Sequence, residues 1–418
     1  MGSSAWQCGT GHGESVPGGR GAGNGGGEIL LPVGRRRRGT DMARIFIACG
    51  GTGGHFFPGS AVAECLLKRG HEVTILLCGK DVERSLLDWN GSEIVTVRSS
   101  PLSASPYRIP AAVLTNLTAL ARSLLMLSNA DVVVGMGGYG AAPPLAAARL
   151  RRVPIVLFEA NAVPGRVTRL LASNASAIAL GMPECEPFLR KRVRKTCLLQ
   201  VTGVPVRSAL VQAAESVTRP ESGGDGDKDK RVLVFGGSRG ARFLNETVAQ
   251  ALAQLKKSGV DVQVDHVSGA GAVEIVRSRY AEAGITCEVM EYTPEMARLY
   301  RRATCAVTRA GASTCAELAL FGLPALLIPY PFAAGDHQAQ NAAALAADGA
   351  AVVCRQESAD VRTVAEQVRR LLTDAQLRER MSRAVRKRAR ADAAWRVADM
   401  VEAVLGLTPA ASSERGMG

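Results

Sequence analysis

From Met42 onward the chain alternates short apolar, β-branched runs with longer stretches of helical pattern. The runs are Arg44–Cys49, Val73–Cys78, Ile94–Val97, Asp131–Val134, Pro154–Phe158, Ala177–Leu180 and Leu198–Val201. After a polar interval they continue as Arg231–Phe235, Val260–Val267, Cys287–Met290, Cys305–Thr308, Ala325–Ile328 and Ala351–Cys354. Strands that alternate with helices form parallel sheets, because each return to the same edge needs a crossover, and the crossover helices then cover both faces. The interval contains Glu215-Ser-Val-Thr-Arg-Pro-Glu-Ser-Gly-Gly-Asp-Gly-Asp-Lys, the composition of a linker. The expected fold is therefore α/β, with two doubly wound domains at 42–207 and 231–405, joined by a linker or exposed loop at 208–230. A ligand cleft is expected between the carboxyl edges of the two sheets. Residues 1–41 hold 13 of the 45 glycines and show neither hydrophobic periodicity nor a signal-peptide core. They read as a disordered extension or a misassigned start, and 406–418 as a flexible tail.

Composition narrows the class. At 418 residues, 47% hydrophobic and 21% charged, the chain can fill two cores and is globular. No apolar run reaches the roughly 18 residues of a membrane-spanning helix. The best candidate, Ala111–Leu127, is broken by Thr115, Asn116, Thr118, Arg122 and Ser123, and is expected to lie on a membrane rather than cross it. The ten cysteines include no Cys-x-x-Cys pair, and Cys49, Cys78, Cys305 and Cys354 fall in strand-like runs, which points to a reducing compartment without zinc. The net charge of +13, part of it from Arg35–Arg38, favours a polyanion, either nucleic acid or an anionic lipid surface. Aromatic residues at 4%, with no helix-turn-helix or RNA-binding signature, weigh against nucleic acid.

The loops after the strands carry the chemistry. CGGTGGHFFPG, Cys49–Gly59, joins the first strand to a helix. Glycines let backbone approach a ligand, and a helix start presents unpaired N–H groups to anions. A phosphate loop of the Walker type would need a lysine at His55 or Phe56, and a dinucleotide fingerprint would need glycine at Phe56 and an acid near Leu76-Leu-Cys-Gly-Lys80; neither fits. Taken alone, the stretch serves equally as a tight packing turn. Gly236-Gly-Ser-Arg-Gly-Ala-Arg242 repeats the device in the second half, and Gly135-Met-Gly-Gly-Tyr-Gly140 adds a third loop. Three such loops on two sheets point to two phosphate-bearing ligands meeting in one cleft.

The motifs GGTGGH (Gly50–His55), GMGGY (Gly135–Tyr139), TGVPVR (Thr202–Arg207), GGSRGAR (Gly236–Arg242), TRAGASTCAEL (Thr308–Leu318) and DHQAQNA (Asp336–Ala342) resemble, in order and spacing, the MurG-type N-acetylglucosaminyltransferases. The resemblance covers about Met42 to Leu405. It implies the GT-B arrangement of two Rossmann-like domains and inverting transfer of GlcNAc from UDP-GlcNAc to lipid I (undecaprenyl-pyrophosphoryl-MurNAc-pentapeptide) at the cytoplasmic face of the bacterial membrane. No cofactor, metal or nucleic acid is implied. An anionic membrane surface is the expected docking partner.

Position by position, the resemblance implies that Thr52, Gly53, Gly54 and His55 meet donor and acceptor, and that Gly137, Gly138 and Tyr139 serve the acceptor pyrophosphate. Asn161 falls near the transferred sugar, Arg207 and Ser238 on the donor phosphates, and Thr293 at the uracil. Ala312, Ser313 and Thr314 fall in the donor loop, Glu317 on the ribose hydroxyls, and His337, Gln338 and Asn341 toward the GlcNAc hydroxyls. Ala160, Val204, Arg239 and Ala310 depart from the family's usual residues. The residue types suit the chemistry, since a carboxylate can bridge a cis-diol and an arginine with helix-start N–H groups can hold charge on departing UDP. Glu317 also reads as a first-turn helix carboxylate, and Arg207 as half of a surface ion pair. His55 is the candidate base for the acceptor hydroxyl, its rival role being a hydrogen bond to a loop carbonyl or phosphate. Two other functions remain open from sequence: a diacylglycerol glycosyltransferase of similar build, and a non-catalytic basic nucleotide- or nucleic-acid-binding protein.

Overall fold

The computed structural model describes residues 42–51, 53–77, 92–100, 107, 109–216, 230–237 and 240–408. The first sheet contains β1 (Arg44–Cys49), β2 (Glu72–Leu77), β3 (Glu93–Thr96), β4 (Val132–Gly135), β5 (Ile155–Glu159), β6 (Ala177–Leu180) and β7 (Leu198–Val201). The second contains β8 (Arg231–Phe235), β9 (Gln263–Val267), β10 (Thr286–Met290), β11 (Cys305–Thr308), β12 (Ala325–Leu327) and β13 (Val352–Val353). All pairings are parallel, in the orders β3-β2-β1-β4-β5-β6-β7 and β10-β9-β8-β11-β12-β13. Central strands such as β4 and β5 are buried at every residue, as parallel strands covered on both faces must be.

Among the described residues the α-helices of the first half are α1 (Gly53–Lys68), α2 (Ile109–Met126), α3 (Ala142–Arg151), α4 (Arg166–Leu171), α5 (Glu186–Arg190) and α6 (Ser208–Glu215). Those of the second are α7 (Arg242–Lys257), α8 (Val273–Glu282), α9 (Met296–Arg302), α10 (Ala312–Phe321), α11 (His337–Ala347), α12 (Val361–Thr373), α13 (Ala375–Arg386) and α14 (Ala393–Leu405). Right-handed crossovers place α2 to α5 on one face of the first sheet and α1 on the other. Strand order reverses between β1 and β4 and between β8 and β11. At such a switch point the loops diverge and leave a crevice. The glycine loops after β1, β4 and β8 all lie at these two points.

Three expectations change. The interval 208–230 does not begin as linker: Ser208–Glu215 is helical, and its buried Leu210 and Ala214 join the second domain's core with Leu299 and Leu318. Residues 231–405 are not all second domain, since α14 packs back on the first, where Val397, Val401 and Val404 share a core with Ile45, Ile47 and Val62. Arg69 fastens it there through Glu402 and Asp399, both at 2.6 Å, and His71 donates to Glu402 at 3.1 Å. Finally, the helix running from Ile109 to Asn129 is long and apolar enough to span a bilayer by length and composition. Its polar interruptions do not shorten it, because Thr115, Thr118 and Ser123 bond back to carbonyls of their own helix. Within the fold it is the β3-to-β4 crossover, with Ala112, Ala119 and Ser123 buried and Leu114, Leu117 and Leu125 exposed.

Candidate active site

The β1 and β4 loops close around one imidazole. A Cβ on Gly50 would lie 2.6 Å from the Gly137 carbonyl oxygen and 2.8 Å from the Gly138 Cα, and one on Gly138 would lie 3.0 Å from the His55 ring. Gly137 and Gly138 take φ of +91° and +77°, which favours glycine. Only bare backbone lets the two loops meet with His55 between them. Gly53, Gly54 and His55 form the first turn of α1, whereas Thr52 lies outside the described residues. Among the described residues the buried His55 Nδ1 has no hydrogen-bond partner. Burial lowers the imidazole pKa below its ordinary value; Glu159 and the Met136 backbone oppose this, and His337 adds to it. His55 is therefore neutral near pH 7. His337 opens α11 on the second domain, so its influence on His55 is exerted across the cleft.

Glu159 ends β5 and is buried. Its carboxylate accepts from the backbone N–H groups of Asn161 and Gly165, from Asn161 Nδ2 and from the Thr168 hydroxyl. Four neutral donors hold a buried carboxylate beside the imidazole.

On the other side of the cleft, Glu317 stands in the second turn of α10, not the first, so satisfying the helix macrodipole does not explain it. Its Oε2 accepts from the buried Tyr300 hydroxyl at 2.6 Å. Burial raises the Glu317 pKa, against Tyr300 and Arg207, which favour the anion. Among the described residues Arg207 makes no ion pair: its guanidinium lies 4.6 Å over the Phe57 ring and its buried Nε has no partner there. Ala312 is buried, and Ser313 Oγ donates to the Gly54 carbonyl at 3.5 Å, joining the two domains beside Thr314. That carbonyl is available because Pro58, four residues on, has no N–H to take it.

The remaining predicted residues divide. Thr293 is buried and its Oγ accepts from Glu295 N. Gln338 Oε1 accepts from Tyr330 N, and His337 Nδ1 donates to the Ala334 carbonyl. Tyr139 opens a single 3₁₀ turn after Gly138. Asn341 is fully buried and bonded to protein groups on both domains. Ser238 and Arg239 lie outside the described residues. The departures at Ala160, Val204 and Ala310 are buried apolar positions; Ala160 and Val204 close on Gly181, where any Cβ would strike both.

Residues 45–180 match the glycosyltransferase family 28 N-terminal domain, and 231–397 match the family's C-terminal domain. A protein of Geobacter sulfurreducens named UDP-N-acetylglucosamine--N-acetylmuramyl-(pentapeptide) pyrophosphoryl-undecaprenol N-acetylglucosamine transferase is 36% identical over 361 residues, covering 85% of this chain and 97% of its own. A protein of the same name from Acidithiobacillus ferrooxidans is 38% identical over 362 residues, covering 85% and 96%. The chain belongs to the MurG family of glycosyltransferases. The crystal structure of Acinetobacter baumannii MurG aligns with a TM-score of 0.67 at 29% identity, over 86% of this chain and 99% of that one. The calicheamicin glycosyltransferase CalG4, at 19% identity and TM-score 0.61, shares the fold.

Within this MurG-family site, sequence reading passed over two groups. Tyr300 lies on α9, one strand and one turn from Glu317, and in sequence it is an ordinary core aromatic. Glu159 stood in the matched Glu-Ala-Asn stretch, but nothing local foretold that its carboxylate would be buried on four donors.

Proposed function

We propose that this enzyme moves GlcNAc from UDP-GlcNAc to the 4-hydroxyl of MurNAc in lipid I, with inversion, forming lipid II at the cytoplasmic face of the membrane. The observation that carries the reading is the opposition of two walls in one cleft: neutral His55 between the glycine loops, and the Glu317–Tyr300–Arg207 group on the second domain. His55 takes the acceptor hydroxyl's proton as that oxygen attacks the anomeric carbon. The bond from the anomeric carbon to UDP breaks, and the pair of electrons leaves on the β-phosphate. Arg207 and the N–H groups at the starts of α7 and α10 stabilise that charge. Glu317, oriented by Tyr300, receives the ribose hydroxyls, while Gly137 and Gly138 leave room for the acceptor pyrophosphate.

The polyprenyl tail of the acceptor stays in the bilayer, so the enzyme must reach its surface. Among the described residues, nine of the 14 large exposed apolar ones, Tyr107, Ile109, Val113, Leu114, Leu117, Leu125, Leu150, Leu170 and Phe188, precede or lie on α2 to α5, and Arg166, Arg169 and Arg192 flank Leu170. An apolar face edged with cations supports shallow docking on anionic lipid. The test of the reaction is UDP release from UDP-GlcNAc. Release that requires lipid I supports it. Release with diacylglycerol instead, or no release together with salt-sensitive RNA binding, would replace it with one of the other readings.

A further inference from the structure

The bonds around α11 lead further, on the basis of the transfer reaction above. Asn161 turns its NH2 to Glu159 Oε1 (3.1 Å), which leaves its Oδ1 toward the second domain. There Asn341 Nδ2 donates to that Oδ1 at 3.1 Å and to the Ala310 carbonyl at 3.1 Å. The orientation of Asn341 is then settled as well, and its Oδ1 accepts from Ala162 N at 2.9 Å. Both amide orientations thus follow from the bond to Glu159, and the Asn341 NH2 has no hydrogen left for a sugar hydroxyl. At the far end of α11, Arg388 donates to the Ala344 carbonyl (2.9 Å), to Asp348 just beyond the helix (2.6 Å) and to Glu184 of the first domain (2.6 Å). The helix whose first turn carries His337 and Gln338 is therefore tied to the first domain at two places.

We infer that Asn341 is a positioning residue, a clasp that acts through Asn161 and the Ala162 amide to set the sugar-facing turn of α11 against the His55 wall, and that Arg388 is the rear anchor of the same helix. A misplaced helix would still bind UDP, which the Glu317 side holds, but would present the anomeric carbon badly.

The test compares Asn341→Ala, Asn341→Asp, Asn161→Ala, the Asn161→Ala/Asn341→Ala double variant and Arg388→Gln with the parent enzyme, using lipid I, UDP-GlcNAc and UDP. Losing buried hydrogen bonds of this kind should lower kcat by roughly 10- to 100-fold in each Asn variant. The calorimetric Kd values for UDP and UDP-GlcNAc should each stay within about three-fold, and the double variant should fall no further than the worse single one. Arg388→Gln, remote from any sugar contact, should show the same loss in kcat. A Kd that rises for UDP-GlcNAc but not UDP, additive losses in the double variant, or an unchanged kcat would overturn the clasp. Circular dichroism and Tm of Asn341→Asp, which keeps the side chain's shape, separate misfolding from mispositioning. A parent enzyme inactive with lipid I would instead overturn the reaction on which the clasp rests.

Discussion

The neutrality of His55, on which its proposed role as base depends, follows from its surroundings. Burial outweighs Glu159 and lowers the pKa, so the free base persists below the usual imidazole range. A base works deprotonated: activity should be flat above that lowered pKa and fall about tenfold per pH unit below it. His55→Ala should reduce kcat by roughly 10²–10⁴ while UDP-GlcNAc binding holds, and should abolish the acid limb of the profile. Retained turnover, or a rise in donor KM alone, would leave the residue a loop fitting. Glu317→Ala should weaken UDP binding by roughly 1.5–3 kcal/mol, the value of hydrogen bonds to a charged group. Tyr300→Phe, which leaves the carboxylate present but unoriented, should give a smaller loss in the same calorimetric measurement.

Among the elements, α2 raises the sharpest question, since it passes the length and composition test for a membrane span yet serves as a crossover in a folded sheet. Exposed Ile109, Leu114 and Leu117 lie on its open side. Protein beginning at Met42 should co-sediment with anionic vesicles at low salt, and polar replacement of those three residues should reduce this. Equal binding by the triple variant would return α2 to an ordinary surface helix. All thirteen strands among the described residues were legible from the sequence, to within about three residues at their ends, because β-branched runs between turn residues are a local signal. Ser208–Glu215 was harder to read: one apolar edge on an eight-residue helix is short, and its partner surface comes from residues some 90 to 110 positions later, on α9 and α10.

For the molecule as a whole, the same limit applies to α14. Its sequence carries no local signal of which domain it covers; Arg69, Glu402 and Asp399 decide it across more than 300 residues. The Arg69 side chain is buried and its removal takes the neutralising charge away from Glu402 and Asp399, so Arg69→Ala should cost about 3–5 kcal/mol and show as a lower Tm. The clasp of Asn341 on Asn161 was likewise invisible, since the two come from different domains and only the folded cleft brings them together. The return of α14 also orders events during synthesis. Ala394, Val397, Ala398, Met400, Val401, Val404 and Leu405 complete the core against α1 and β1. A nascent chain with its first seven strands already outside the ribosome therefore carries an open apolar groove until residues 393–405 emerge. The first half, though made first, is finished last, and a ribosome stalled near residue 390 would release a chain exposed to chaperones and proteases along its α1 face.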